Sequence, residues 1–490
     1  MLRKTFFSLL LTFVLLLFWV LAKTLLFSPT EVTLTSPQQD KYIRIDSIKS
    51  LHNLREAISF ATISHKPAMR DEQAFSKMIA FLDSAYPKIQ AFSEVRTVNQ
   101  FSKMYRLYGT DPSAQPIILL AHIDVVPVDG GDWDFPPFSG EIHDGYIYGR
   151  GTLDDKGSAI AIMEALEHML ESGWQPSRTI IVCLGHDEEI GGEDGAKKMA
   201  QMLMEEGIKA HMVLDEGGVI AKGLVPGFDR PVGLIGTSEK GYLNLELRAN
   251  IEGGHSSMPE KETSIDVLAK AITKIAETGF PSEFTAPIIG FMDHLGPHLP
   301  FFERMAFANR TLFSPVIQRL YEKNAPSRAL IQTTVVPTIF RAGIKDNVIP
   351  QQAKAIINLR LLPGWDAERC IAYLQKIIDD DRVKILHNDD FSYTLASPPS
   401  PTDNQIFQTL SQSIQEHFKD VLPVPYLVLG ATDARHFQDL SENIYRFMPF
   451  RLGAKDVQRI HGTNERLAIS SFYEGIYFYQ RIISDFCDSY

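Results

Sequence analysis

At 490 residues the chain exceeds what one hydrophobic core usually organises, so two domains are expected. Apolar residues at 44% and charged residues at 22% describe an ordinary folded protein. A net charge of −12 without a basic stripe argues against a nucleic-acid partner. Three scattered cysteines, Cys183, Cys370 and Cys487, build neither a disulfide framework nor a cysteine zinc knuckle.

The chain opens on Arg3 and Lys4, then runs without charge from Thr5 to Ala22, dense in Leu, Phe and Val, and closes on Lys23. Such a run is near the lower limit for crossing a hydrocarbon core and longer than the apolar part of most signal peptides. The leading basic pair keeps the N-terminus cytoplasmic, so the body is exported, periplasmic or extracellular. Two readings stay open. Residues 1–27 are retained as a membrane anchor, or cleavage after Val20-Leu21-Ala22 releases a secreted body. Residues 28–45, with Ser, Thr, Pro and Gln prominent, read as a linker.

Helical spacing marks Ser47 to Phe60 and Glu72 to Ser84. From Pro116 the texture becomes α/β. Short apolar runs at Ile117 to Ala121 and Thr179 to Leu184, and one ending at Val213-Leu214, read as buried strands, with a helix from Ser158 to Leu170 between them. Strands alternating with helices predict a mostly parallel sheet with helices on both faces, assembled from 46–239 and 393–490. The pattern then changes. Leu243, Leu245, Leu247, Ala249 and Ile251 alternate with polar or small residues, as do Ala355, Ile357, Leu359 and Leu361. Helical spacing follows the first run at Leu268, Ala271, Ile272 and Ile275, and Asp366 is placed to cap a helix reaching Ile378. Together with a strand from Arg382 to Leu386, these predict an inserted α+β lid domain of two layers over 240–392. Seven phenylalanines fall between Phe280 and Phe313, against 30 in the whole chain. They suit a helical excursion with its own small core, or an apolar wall for a hydrophobic substrate tail.

The chemistry lies at strand ends, where open α/β sheets place their ligands. His122-Ile123-Asp124 follows one strand, and Gly149 to Gly157 (GRGTLDDKG) leads into a helix. Asp187-Glu188-Glu189 follows another strand, Asp215-Glu216-Gly217-Gly218 a third, and His461 comes late. Such a pool of carboxylates would repel itself and raise its own pKa values. A pair of divalent cations is the simplest compensation, and imidazole plus carboxylate without thiolate suits zinc, with cobalt or manganese as substitutes. No GxSxG elbow supports a serine hydrolase.

With HIDVVP at 122–127, GRGTLDDKG at 149–157, DEEIGG at 187–192, LDEGG at 214–218, GGHSSMP at 253–259, GATDAR at 430–435 and His461, the chain resembles the co-catalytic zinc peptidases of the aminoacylase, carboxypeptidase S and glutamate carboxypeptidase group. Within it, the membrane-anchored or secreted carboxypeptidase S and N-fatty-acyl-amino acid synthase/hydrolase branch is most similar. The resemblance implies two Zn2+ per chain. His122 would bind one ion, with Asp124 holding its other ring nitrogen, and Asp154 would bridge both. Glu189 would complete one metal's set, while Asp215 and His461 would serve the other or the shared shell. Glu216 stays open as a rival to Asp215. Glu188 would be the general base. His255 would reach over the cleft to the tetrahedral oxyanion. Asn347, Arg360 and Arg435 would hold substrate, either arginine recognising a free carboxylate. The implied reaction is hydrolysis of the amide bond in N-acyl amino acids, or of C-terminal peptide bonds beside a free carboxylate. A non-catalytic membrane-anchored binding protein would have lost a ligand or Glu188, and this chain has lost neither. The inserted domain is also a candidate homodimer surface.

Overall fold

The computed structural model describes residues 2–29, 42–65, 70–128, 130–225, 227–387 and 393–488. Most of the expected linker (30–41) and the end of the expected lid (388–392) lie outside the described residues.

Three buried strands form the parallel centre of a ten-stranded sheet: Ile180–Gly185, Ile117–His122 and Met212–Asp215, in that spatial order. Their continuous apolar texture has a two-sided outcome. Ile117, Leu119 and Ala121 face one core, and Ile118 and Leu120 face another, as alternation along a strand requires. Helices Lys156–Glu171, Ser47–Ser59 and Ile469–Cys487 cover the first face. Helix Ala196–Glu205 and the turn Asp433–Phe437 cover the second. One edge is antiparallel: Ser93–Val98 and Ser102–Leu107 extend the sheet beside Ile180–Gly185. Their charged residues conceal them in the sequence. Arg96 and Arg106 both pair with Glu206 at the edge. On the other side Ile444–Arg446 pairs parallel with Met212–Asp215 and leads to Val232–Glu239, which Leu422–Val428 joins in parallel.

At Gly241 the chain enters a second, antiparallel sheet. Gly241–Asn250 lies between Gln352–Leu361 and Val383–Leu386, with Thr334–Ala342 at the outer edge. Register sets Leu243 opposite Leu359, Leu245 opposite Ile357 and Leu247 opposite Ala355. That apolar face is covered by helices Ser264–Thr278 and Ala367–Ile378. Both helices start as their sequences dictate. Thr263 and Asp266 form a reciprocal capping box, and Asp366 accepts a hydrogen bond from the Arg369 amide at 2.8 Å.

The phenylalanine-rich stretch forms helices Ala286–Leu295, Phe301–Ala308, Arg310–Tyr321 and Ala325–Ile331. Ile288, Met292, Ile317 and Ile331 give the excursion its own small core, and its first helix packs on Leu422–Val428 of the main sheet. The N-terminal helix Leu2–Leu26 stands mostly free in the structure and docks on this excursion through its last turns.

Candidate metal centre and active site

Two loops are cross-tied before any ligand can be placed. Arg150 and Glu465 form a fully buried ion pair at 2.6 Å, and the other Glu465 oxygen accepts hydrogen bonds from the amides of Gly151, Leu153 and Asp154. Arg150 also donates to the His461 carbonyl at 3.2 Å. This pair fixes the GRGTLDD turn against the C-terminal HGTNE segment, and so fixes Asp154 relative to His461. The sequence placed Arg150 in a motif but could give neither it nor Glu465 this role, because a partner some 300 positions away leaves no local pattern.

Asp154 is the meeting point. Its Oδ1 lies 2.9 Å from His122 Nε2 and its Oδ2 lies 3.0 Å from His461 Nε2. Burial alone would raise its pKa, but the hydrogen bonds and charges of the two imidazoles outweigh that and hold it well below the usual range. Around this axis the carboxylates divide. Glu216 Oε1 lies 3.4 Å from His122 Nε2, and Glu189 Oε2 lies 3.2 Å from His461 Nε2.

The sequence left Asp215 and Glu216 open as alternatives and grouped His461 with Asp215 or the shared shell. In the structure Glu216 stands beside His122, and His461 lies on the Glu189 side of Asp154. The Asp215 carboxylate instead accepts the Ala434 amide at 2.7 Å and so holds the 430–435 loop. Successive residues leaving a strand project to opposite sides, so only one of the adjacent acids can face the imidazole. Asp155 lies with His122 and Glu216 in a group whose donor atoms are all within 4.8 Å of one another.

Asp124 organises the other flank. Its carboxylate lies 3.3 Å from His122 Nδ1 and accepts the amides of Glu188 and Glu189 at 3.2 and 3.1 Å. Ser64, unnoticed in the sequence, donates to the same carboxylate. One buried acid therefore orients the imidazole and the Glu188–Ile190 turn together. That turn ends on Gly191 at φ +115°, a left-handed conformation suited to glycine. At Gly192 a Cβ would lie 2.2 Å from the Asp433 carboxylate, so only a hydrogen fits. Among the described residues, no side-chain hydrogen bond to Glu188 is formed. Burial, reinforced by Glu216, Asp433 and Glu189, pushes its carboxyl well above the ordinary range despite the opposing field of His122.

The donor chemistry fits divalent metal. Among the described residues, both Asp155 oxygens and Glu189 Oε1 are buried without a hydrogen-bond partner, and His122, Asp154 and Glu189 form a second group with donors within 4.8 Å. Acids packed this closely without cations would repel one another.

A cationic cluster borders the centre. Arg435 donates to the Gly191 carbonyl at 2.8 Å, directly behind the Glu188 turn. Arg360 stacks over Tyr242 at 4.8 Å, close enough to Arg435 for each to feel the other's charge. Lys240 donates to the carbonyls of Ala329 and Gln332, and burial, with the Arg360 charge, lowers its pKa to about 7. No carboxylate among the described residues forms an ion pair with these three side chains. His255 and Asn347 lie elsewhere. His255 pairs with Val348 across a two-stranded ribbon, and the Ser256 amide meets the Asn347 carbonyl at 3.4 Å. Both are exposed, and no hydrogen bond or ion pair among the described residues joins them to the carboxylate cluster.

The profile of peptidase family M20/M25/M40 matches residues 118–485. The N-fatty-acyl-amino acid synthase/hydrolase of Homo sapiens is 35% identical over 95% of this chain and 95% of its own length. Carboxypeptidase S of Saccharomyces cerevisiae is 30% identical over 91% of this chain and 85% of its own. The M20 family metallo-carboxypeptidase of Sulfolobus solfataricus has the same fold, with a TM-score of 0.64 at 19% identity over 89% of this chain and 99% of that one. Human carnosine dipeptidase 1 follows at a TM-score of 0.60 and 16% identity, over 90% and 96%. With the fold, the family profile and full-length relatives in agreement, the chain belongs to peptidase family M20/M25/M40 and is a metal-dependent hydrolase.

Proposed function

We propose that the chain is a dinuclear zinc hydrolase of N-acyl amino acids, cleaving the amide bond next to a free carboxylate. The observation that carries this reading is the division of donors about Asp154, with one carboxylate oxygen toward each imidazole. His122, Asp154 and Glu216 would hold one ion, and Asp154, Glu189 and His461 the other. When bound, such a pair polarises the scissile carbonyl and lowers the pKa of the attacking water towards about 7. Glu188, carried on a turn that Asp124 fixes, accepts that water's proton and returns it to the leaving amine. Arg360 and Arg435, with Lys240 behind them, bind the substrate carboxylate. His255 and Asn347 sit on the inserted domain and reach the oxyanion when that domain closes. The relatives named for N-fatty-acyl-amino acids favour acyl substrates over peptides, and carboxypeptidase S keeps C-terminal peptide cleavage as the second reading.

The N-terminal helix Arg3–Leu26 is long and apolar enough to cross a membrane. We assign it as a retained anchor with the catalytic body on the exported side, because its last turns bond to the folded body. A mature N-terminus near Lys23, read by mass, would instead mark a cleaved signal.

The substrate test is turnover by the zinc-loaded protein of paired acyl-amino acids, their methyl esters and dipeptides, followed by mass. Free acids should be cleaved at least ~10²-fold better than the esters, the order of loss when a charge clamp is left unpaired. Equal turnover of acid and ester would remove the carboxylate clamp from the mechanism.

A further inference from the structure

We infer that the helices Phe301–Ala308 and Arg310–Tyr321 are a lipid-binding surface, lying in the headgroup region of the bilayer that the N-terminal helix crosses. The inference rests on the anchor reading above and extends it to the enzyme body.

Helix Arg310–Tyr321 is apolar on two sides. Ile317 is buried in the excursion's core, with Phe313 and Tyr321 packed beside it at helical spacing. The flanking stripe about 100° round the helix, Leu312, Val316 and Leu320, is 48%, 52% and 52% exposed. On the preceding helix Phe302 is 73% exposed, its ring edge-on to that of the partly exposed Phe301. A helix with one apolar face already satisfied has no use for a second in water.

The place of this surface relative to the anchor identifies what covers it. Asn309, the residue joining the two helices, donates to the Val20 carbonyl at 3.2 Å and to Thr24 Oγ1 at 3.1 Å. Thr24 is fully buried in that contact. At about 1.5 Å per residue, a hydrocarbon core of about 30 Å is crossed in roughly 20 residues. A span that begins after Lys4 therefore emerges near Val20 to Thr24. The Lys23 ammonium sits over the Trp19 ring at 5.1 Å, and this aromatic and basic pairing belongs at a membrane–water boundary. Asn309 grips the anchor at that same level. The two helices it joins are thus held where the bilayer surface must be. Arg319 and Lys323, exposed beside the apolar stripe, can extend to lipid phosphates.

The test places nitroxide labels on the full chain in phosphatidylcholine vesicles, through Phe302→Cys and Val316→Cys in separate proteins. Phe13→Cys in the anchor and Ile344→Cys, on a fully exposed turn of the inserted domain, are the references. The native cysteines are buried. Collision with oxygen is compared with collision with a water-soluble nickel chelate. The labels at 302 and 316 should shift from the chelate-favoured value at 344 towards the oxygen-favoured value at 13. Chelate-favoured values at both, with position 13 in lipid, would overturn the lipid surface and leave the anchor standing. If position 13 is itself chelate-favoured, the anchor reading fails and the lipid surface falls with it. The two labels sit on separate helices, so each reports independently.

Discussion

Glu188 and Glu189 are neighbours with opposite tasks, and the difference is made by what each faces. Glu189 meets His461 at 3.2 Å, while half-buried Glu188 has no side-chain hydrogen bond to the described residues. Glu188→Gln should therefore keep the metal content of the native chain and lose turnover by ~10²- to 10⁴-fold, the usual worth of a positioned base. Metal analysis beside a turnover assay checks both halves. The adjacent pair Asp215 and Glu216 divides in the same way. Glu216→Gln should lower bound metal, since it removes a carboxylate 3.4 Å from His122. Asp215→Asn should keep the metal and weaken substrate binding, because its carboxylate holds the Ala434 amide and with it the loop that carries Arg435. Equal metal loss in both variants would return Asp215 to the ligand set.

Elements are joined in this fold by single half-buried polar residues. His417, at the end of helix Gln405–His417, takes a hydrogen bond between its Nδ1 and the Tyr42 hydroxyl at 2.8 Å, and its Nε2 donates to the Glu474 carbonyl at 3.1 Å. It thereby ties the entering chain, its own helix and helix Ile469–Cys487. Both ring nitrogens are satisfied by the neutral form, and burial lowers the pKa to about 4. The unfolded imidazole titrates near 6.5, so between those values the unfolded chain binds more protons and stability rises with pH. Lowering the pH from 6.5 through 4 should therefore cost about 3 kcal/mol from this residue. Thermal melts over that range should show the fall, and His417→Gln should lessen it, His186 with the same downward shift keeping the remainder.

For the whole molecule, the carboxylates around His122 and His461 make the folded state a poor home for itself without cations. Asp155 and Glu216 are pushed well above the usual carboxylate range by burial and by neighbouring acids. Ions that bind the folded chain and not the unfolded one stabilise it by mass action. Chelation should therefore lower Tm by several degrees, and added zinc should restore it, by scanning calorimetry. An unchanged Tm on complete metal removal would contradict a metal-filled centre. The two sheets also divide the labour. The main sheet carries the imidazoles and acids, whereas Arg360, His255 and Asn347 come from the inserted unit, so substrate groups and metal groups can change their spacing together.

The sequence by itself determined what a few neighbouring residues decide. Continuous apolar runs gave the buried central strands, alternation gave the inserted antiparallel sheet, and the Asp366 cap was written in its own turn. The segments bearing His122, Asp154, Glu188, Glu189 and His461 were legible because each is a polar cluster at the end of an apolar strand or a glycine-rich turn. Tertiary structure alone decided which oxygen faces which imidazole. Asp215 and Glu216 are adjacent and chemically alike, and only the direction in which each leaves its strand separates them. It alone revealed the Arg150–Glu465 tie, the Ser64 bond to Asp124 and the grip of Asn309 on the N-terminal helix. Those contacts join positions tens to hundreds of residues apart, and close approach in space follows from packing of whole elements, which no local pattern encodes.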